Sequence, residues 1–155
     1  GGFTQVCLDN GAAKVYAIDV GRDQLAAILR NDERVENLEG VNAKFPIEIK
    51  DKVDAFVMDV SFISQTLVLP NTMALLKDTG FGVTLIKPQF EAGPSRVGKK
   101  GIISEANRKV ILKEVLDWMD ANSIEVKELI ESPITGKTGN IEYLALVKRR
   151  IKEKN

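Results

Sequence analysis

Three charged residues stand where apolar segments stop, and a fourth interrupts an apolar segment. Asp19 closes "KVYAID" (14–19), Asp59 lies near the end of "DAFVMDV" (54–60), and Lys87 ends "GVTLIK" (82–87). In open α/β sheets ligands bind beyond the carboxyl ends of the strands, so chemistry would gather at these three positions. Glu142 sits two residues into "NIEYLALVKR" (140–149), where a carboxylate needs a partner. Lys87 is the natural candidate. A partly desolvated lysine beside carboxylates can do acid–base work near neutral pH, because burial and neighbouring charge both move its pKa. Plainer readings stand beside these. Asp19 and Asp59 each suit the cap of a following helix, and Lys87 suits a snorkelling surface lysine.

Lysine matters here because histidine is absent: the 155 residues hold no His and one Cys, Cys7. Serine–histidine triads, cysteine–histidine pairs and zinc clusters of His and Cys are excluded, and no metal site is expected. With 22 basic and 22 acidic side chains, no global field draws the chain to nucleic acid or anionic lipid, so any basic surface is local. A lone cysteine makes no internal disulfide, and no stretch nears the roughly 18 consecutive apolar residues of a membrane span. The cytoplasm is the expected compartment. Length, 44% hydrophobic content and 28% charge describe one domain able to bury a core, over 1–150, with a charged tail at 151–155. The chain opens on "GGFT" with neither an initiator Met nor a signal-peptide pattern, so residues upstream are expected.

The elements that must position these charges follow from periodicity. Helices are expected at 3–10, ending at Gly11, at 22–32, at 64–80 with Pro70 as a break or kink and Gly80 as the close, and at 104–123. The last carries an apolar stripe of Val110, Ile111, Val115, Leu116 and Met119 behind Ser104. Strands are expected at 14–19, 34–40, 54–60, 82–87, 124–132 and 140–149. Three glycines and a proline in 91–103 predict a long mobile loop. Alternating helices and strands argue an α/β domain with a mainly parallel sheet, and the short link "PITGKTG" argues a terminal antiparallel hairpin.

Five segments in order, "GGFT", "VYAIDVG", "MDVSFIS", "KPQFEAG" and "SPITGKTGNIEYL", resemble the TlyA-type family, a branch of the FtsJ-like methyltransferases known both as haemolysins and as ribosomal RNA 2′-O-methyltransferases. The likeness runs over about 1–148. It implies a Rossmann-like, S-adenosylmethionine-dependent methyltransferase sheet whose first strand precedes residue 1, together with a small S4-like RNA-binding domain upstream. It further implies a Lys-Asp-Lys-Glu catalytic tetrad, with Asp59, Lys87 and Glu142 as its last three members and the first lysine upstream. Lys87 would deprotonate or orient a ribose 2′-hydroxyl while Asp59 and Glu142 hold and tune it. For the cofactor the resemblance implies Gly1, Gly2 and Phe3 from the glycine turn, Asp19 on the ribose hydroxyls, Asn42 near the adenine, and Asp59. Arg96, Lys99 and Lys100, in the glycine-rich loop, are candidates for gripping RNA phosphate, against the plainer reading of a solvated loop.

Three other readings compete: a membrane-active haemolysin, the family's second name; a non-catalytic RNA-binding fragment; and a nicotinamide oxidoreductase, suggested by Asp19 alone. The first finds no span and no strongly cationic amphipathic helix. The last gives "KPQFEAG" and "GNIEYL" no role.

Overall fold

Helices and strands alternate through most of the chain, as the change of period from 3.6 to 2 requires. The computed structural model describes residues 2–19 and 25–151 and divides into two units, Gly1–Ile47 and Glu48–Asn155. Gly1, the start of the helix expected at 22–32, and most of the charged tail lie outside the described residues.

The first unit holds α1 (Gly2–Asp9), β1 (Val15–Asp19), α2 (Ala27–Arg30) and β2 (Val35–Glu39). β1 and β2 pair in parallel, from Val15 opposite Val35 to Asp19 opposite Glu39. Gly11, at φ 91°, makes the turn that ends α1, as a glycine after a helix does. The apolar core is Leu8, Leu25, Leu29 and Val35, with Val15 and Ala17 packed on it.

The second unit holds β3 (Val53–Met58), α3 (Gln65–Met73), β4 (Leu76–Ile86), α4 (Pro88–Glu91), α5 (Glu105–Ala121), β5 (Ile124–Glu131) and β6 (Tyr143–Arg149). Its sheet runs β3-β4-β6-β5: β3 and β4 are parallel, and β6 is antiparallel to both β4 and β5. The terminal hairpin is therefore present.

Three expectations shift. The helix at 64–80 ends at Met73, and Gly80 lies inside β4, where an added Cβ would come within 2.7 Å of the Asp54 carbonyl oxygen. Leu76, fully buried, opens the strand opposite Val53, and a register shift follows before Ala55 meets Phe81. The last strand starts at Tyr143, leaving Asn140 and Glu142 in the loop before it. The stripe of α5 narrows to Ile111, Val115 and Met119, spaced four apart, while Val110 is half exposed.

The predicted mobile loop is pinned. It carries short 3₁₀ turns at Pro94–Arg96 and Lys99–Gly101, and Ala92, Ile103 and Ile111 close an apolar cluster with Val97 against them. Its glycines supply positive φ at Gly93 and Gly101 rather than slack.

Candidate active site

Strand geometry brings the three expected catalytic positions to one edge. Parallel pairing of Met58 with Thr84 sends Asp59 and Lys87 out of β3 and β4 in the same direction. Antiparallel pairing of Ile86 with Tyr143 sets Glu142 across from Lys87 along the backbone. Pro88 then starts α4, and Lys87 keeps the extended backbone that a residue before proline favours.

The Lys87 ammonium lies 2.5 Å from Asp59 Oδ1, donates to Ser61 Oγ at 3.0 Å, and stands 5.9 Å from the centre of the Phe90 ring. Its side chain is 12% exposed against 40% for Asp59. Coulomb attraction is therefore screened less than in a surface pair, and the carboxylate is left open to one side. Phe62, left-handed at φ 61° and 87% exposed, packs its ring against Phe90 at 4.8 Å between centres.

Glu142 departs from the expected pairing. It is buried, yet it makes no ion pair among the described residues and instead accepts a hydrogen bond from Gln89 Nε2 at 2.7 Å. Lys87 reaches back toward β3, while Gln89, on α4, takes the place opposite the carboxylate. The amide orientation follows from chemistry, because an ionised carboxylate only accepts. Gln89 Oε1 is then buried without a hydrogen bond among the described residues. Gly136 fits tightly here: a Cβ on it would fall 2.7 Å from Glu142 Oε2 and 3.2 Å from Gln89 Nε2.

The loops around this edge are tied together by Asn140, which is buried. Its Oδ1 accepts from the Ile103 amide at 2.9 Å, and its Nδ2 donates to the Gly101 carbonyl at 2.8 Å and to Thr138 Oγ1 at 3.1 Å. Of the expected phosphate-gripping residues, Lys99 and Lys100 are exposed, whereas Arg96 is engaged by Glu114 at 2.7 Å and the Ala92 carbonyl at 2.9 Å. That ion pair also holds the Glu114 carboxyl below its ordinary range.

The expected cofactor residues lie in the first unit. Gly2 opens α1, and a Cβ there would meet nothing within 4 Å. Phe3 is exposed beside it. Asp19 ends β1, and the Val41 amide donates to its backbone carbonyl at 3.0 Å, which brings Asn42 next to that strand end. Asn42 folds its own Oδ1 onto the Lys44 amide at 3.0 Å. A carboxylate at the end of a parallel strand is a residue type that could accept hydrogen bonds from the ribose hydroxyls of a cofactor. Gly1 lies outside the described residues.

Sequence reasoning missed Ser61, Gln89, Glu91 and Asn140. Ser61 lies inside "MDVSFIS", Gln89 and Glu91 inside "KPQFEAG", and Asn140 inside "TGNIEYL", so the signal was their place in segments already singled out. Glu91 accepts from Ser64 Oγ at 2.6 Å and from the Gln65 amide at 2.7 Å. Burial raises its carboxyl pKa, and those two hydrogen bonds oppose the rise.

Known proteins resemble this chain over most of its length. The model of the family described as "FtsJ-like methyltransferase" matches residues 1–149. Hemolysin A of Brachyspira hyodysenteriae is 46% identical over 153 residues, covering 94% of this chain and 62% of that protein. The 16S/23S rRNA (cytidine-2′-O)-methyltransferase TlyA of Mycobacterium tuberculosis is 43% identical over 152 residues, covering 92% of this chain and 54% of that one. The solved "Putative hemolysin from Streptococcus thermophilus" superposes with a TM-score of 0.92 at 42% identity, over 100% of this chain and 57% of that one. Aeropyrum pernix fibrillarin, at 20% identity and a TM-score of 0.57, over 86% of this chain and 55% of that one, shares the fold alone. The chain thus spans a little over half the length of these relatives.

Proposed function

The chain belongs to the FtsJ-like methyltransferase family, and from that premise we propose that it is the catalytic part of an S-adenosylmethionine-dependent ribose 2′-O-methyltransferase acting on ribosomal RNA in the cytoplasm. The observation that carries this reading is the Lys87–Asp59 pair at the carboxyl edge of β3 and β4, with buried Glu142 opposite in register. The names of the Mycobacterium tuberculosis and Brachyspira hyodysenteriae relatives differ, and this edge chemistry favours the first: it suits a proton-transfer site. Among the described residues no helix is long and apolar enough to cross a membrane.

When bound, S-adenosylmethionine supplies a methyl group activated by its sulfonium, which a ribose oxygen takes as the carbon–sulfur bond breaks. Gly2 and Phe3 would bring backbone close to the cofactor, and Asp19 would accept hydrogen bonds from its ribose hydroxyls, with Asn42 near the base. Lys87 orients the 2′-hydroxyl as an ammonium or, as the neutral amine, takes its proton, and Asp59 stabilises the ammonium that results. Glu142 fixes Gln89, and with it the turn that carries Lys87. Lys99 and Lys100 contact RNA phosphates, joined by exposed Lys137 on the loop that Asn140 ties to theirs. Arg96, already engaged, holds that loop to α5. An S4-like domain upstream would add RNA affinity in the whole protein.

The test is nucleoside mass spectrometry of ribosomal RNA after incubation with purified protein and S-adenosylmethionine. A 2′-O-methyl nucleoside is expected with the wild type and not with Lys87→Ala. Absence with the wild type, or full yield with Lys87→Ala, removes the reading.

A further inference from the structure

The segments leaving β3 and β4 are joined by five contacts. Lys87 meets Asp59 at 2.5 Å and Ser61 at 3.0 Å, the Phe62 and Phe90 rings pack at 4.8 Å, and Glu91 receives Ser64 Oγ–H at 2.6 Å and the Gln65 N–H at 2.7 Å. Glu91 stands four residues after Lys87 and takes donors 26 and 27 residues away. Helix α3 already has its own cap, since Ser64 Oγ accepts from the Thr66 amide at 3.2 Å. A second carboxylate arriving from α4 is therefore more than a cap, because it sets where the whole 59–65 segment sits. Gln65 is in turn locked to β4: it is buried, its Nε2 donates to the Leu85 carbonyl at 3.1 Å, and its Oε1 accepts from Thr84 Oγ1 at 2.5 Å. The Glu91 contact thus closes a ring that runs from β4 through Lys87 and α4 to Ser64 and Gln65 and back to β4.

We propose that Glu91 is a positioning residue for the acid–base pair: by clamping the start of α3 to α4 it holds Asp59 and Ser61 on the Lys87 ammonium. Asp59 has no other described partner to fix it, and 40% of its side chain is exposed. Without the clamp the 59–64 segment is held at its β3 end and by the Phe62–Phe90 contact, and Asp59 swings with it. The Lys87 amine then loses the two acceptors that fix its position and is opened to solvent. A glutamine at 91 retains an acceptor for the Gln65 amide, and its NH₂ can donate to Ser64 Oγ, so the clamp survives without the charge. An aspartate keeps the charge but is one methylene too short to span both donors.

The inference rests on the proposed function for its catalytic meaning, yet its geometry can be tested without turnover. Pulse acetylation with acetic anhydride, read by mass spectrometry, reports the reactivity of Lys87 relative to exposed Lys52. Glu91→Asp should acetylate Lys87 at least 3-fold faster than the wild type, Glu91→Ala faster still, and Glu91→Gln within 2-fold of the wild type. Because Glu91→Ala can also weaken the fold, the Asp and Gln variants decide, each checked for an unchanged melting temperature. In the methyl-transfer assay Glu91→Asp should lower kcat about 10-fold with the S-adenosylmethionine KM within 2-fold, and Glu91→Gln should restore most of it. Wild-type reactivity of Lys87 in Glu91→Asp, or a Gln variant no better than the Asp variant, overturns the inference. A wild type that transfers no methyl group removes the functional reading, while the acetylation ratio still decides the role of Glu91.

Discussion

Both units end a parallel strand in an acid, yet they surround it differently. In the second unit Asp59 meets a lysine on the neighbouring strand exit, above a core in which Leu69, Leu76, Ile86, Ile111 and Val147 are all fully buried. In the first, Asp19 stands at the end of a two-stranded sheet whose core is Leu8, Leu25, Leu29 and Val35, each still 4 to 9% exposed. A two-stranded sheet is marginal by itself, and shallow burial gives it little apolar free energy. The contrast teaches a division of labour. On the proposed function, proton chemistry, which depends on sub-ångström placement, would sit on the deep core, and cofactor binding, which can stabilise what it orders, on the shallow one.

The sharpest way to break this contrast is kinetic. Lys87→Ala should lower kcat for methyl transfer by about 10²–10⁴-fold, the span of a lost acid–base group, with the S-adenosylmethionine KM nearly unchanged. Asp19→Ala should instead raise that KM by roughly 10- to 100-fold, the worth of hydrogen bonds to a charged acceptor, and leave kcat largely intact. Steady-state kinetics on the two variants decides it. If both residues moved the same parameter, the division would be wrong.

Stability should divide the same way. Ile111→Ala, at a fully buried position on α5, should cost about 2–5 kcal/mol in chemical denaturation, since the closely packed surroundings cannot collapse onto the cavity. Leu29→Ala, in the shallower cluster, should cost roughly half as much or less. Equal costs would show that the first unit is as tightly built as the second.

Much of the architecture behind this contrast was legible in the residues themselves. Strand-end charges, the order of elements and the terminal hairpin follow from period, from Pro88 and from the short 132–142 link, all of which are local signals. Partner choice was not legible. Lys87 faces Glu142 in backbone register, and nothing in the pattern says that it turns to Asp59 and leaves Glu142 to Gln89. Such choices depend on rotamers and on a neighbouring short helix. The 91–103 loop misled for a related reason: its glycines signalled slack, but long-range contacts from Asn140, Ile103 and Arg96 hold it. Likewise Gly80 looked like a helix stop because helix and strand adjoin there without a polar break.

Hydrogen exchange offers a milder test. Amides of β1 and β2 should exchange at least about 10-fold faster than those of β4 and β6, because opening the shallow unit exposes less apolar surface. S-adenosylhomocysteine, added at saturation, should slow β1, β2 and the 40–42 turn while leaving β4 and β6 nearly as they were. Protection confined to the second unit would move the cofactor residues away from Asp19 and Asn42.

The smallest effects are in pH, and they have opposite signs in the two units. Asp32, in the first unit, is held to about 2 by its hydrogen bonds with Arg34. A carboxyl whose folded pKa is depressed adds stability above its unfolded value, near 3.8, and that stability fades as pH falls toward 2. Glu91, in the second unit, is raised by burial. The folded state then binds that proton more tightly than the unfolded chain, so its contribution favours folding at low pH and is lost as pH rises from the unfolded value through the folded one. Carboxyl carbon NMR titration should show Asp32 titrating below, and Glu91 above, an unstructured carboxylate. Asp32→Asn should then flatten the acid limb of the stability curve slightly, whereas Glu91→Gln should remove the small loss of stability above the ordinary carboxylate range. Upward shifts at both residues would mean that burial governs carboxylates throughout, downward shifts at both that hydrogen bonding does, and either way the contrast between an open unit and a deep one would lose its electrostatic half.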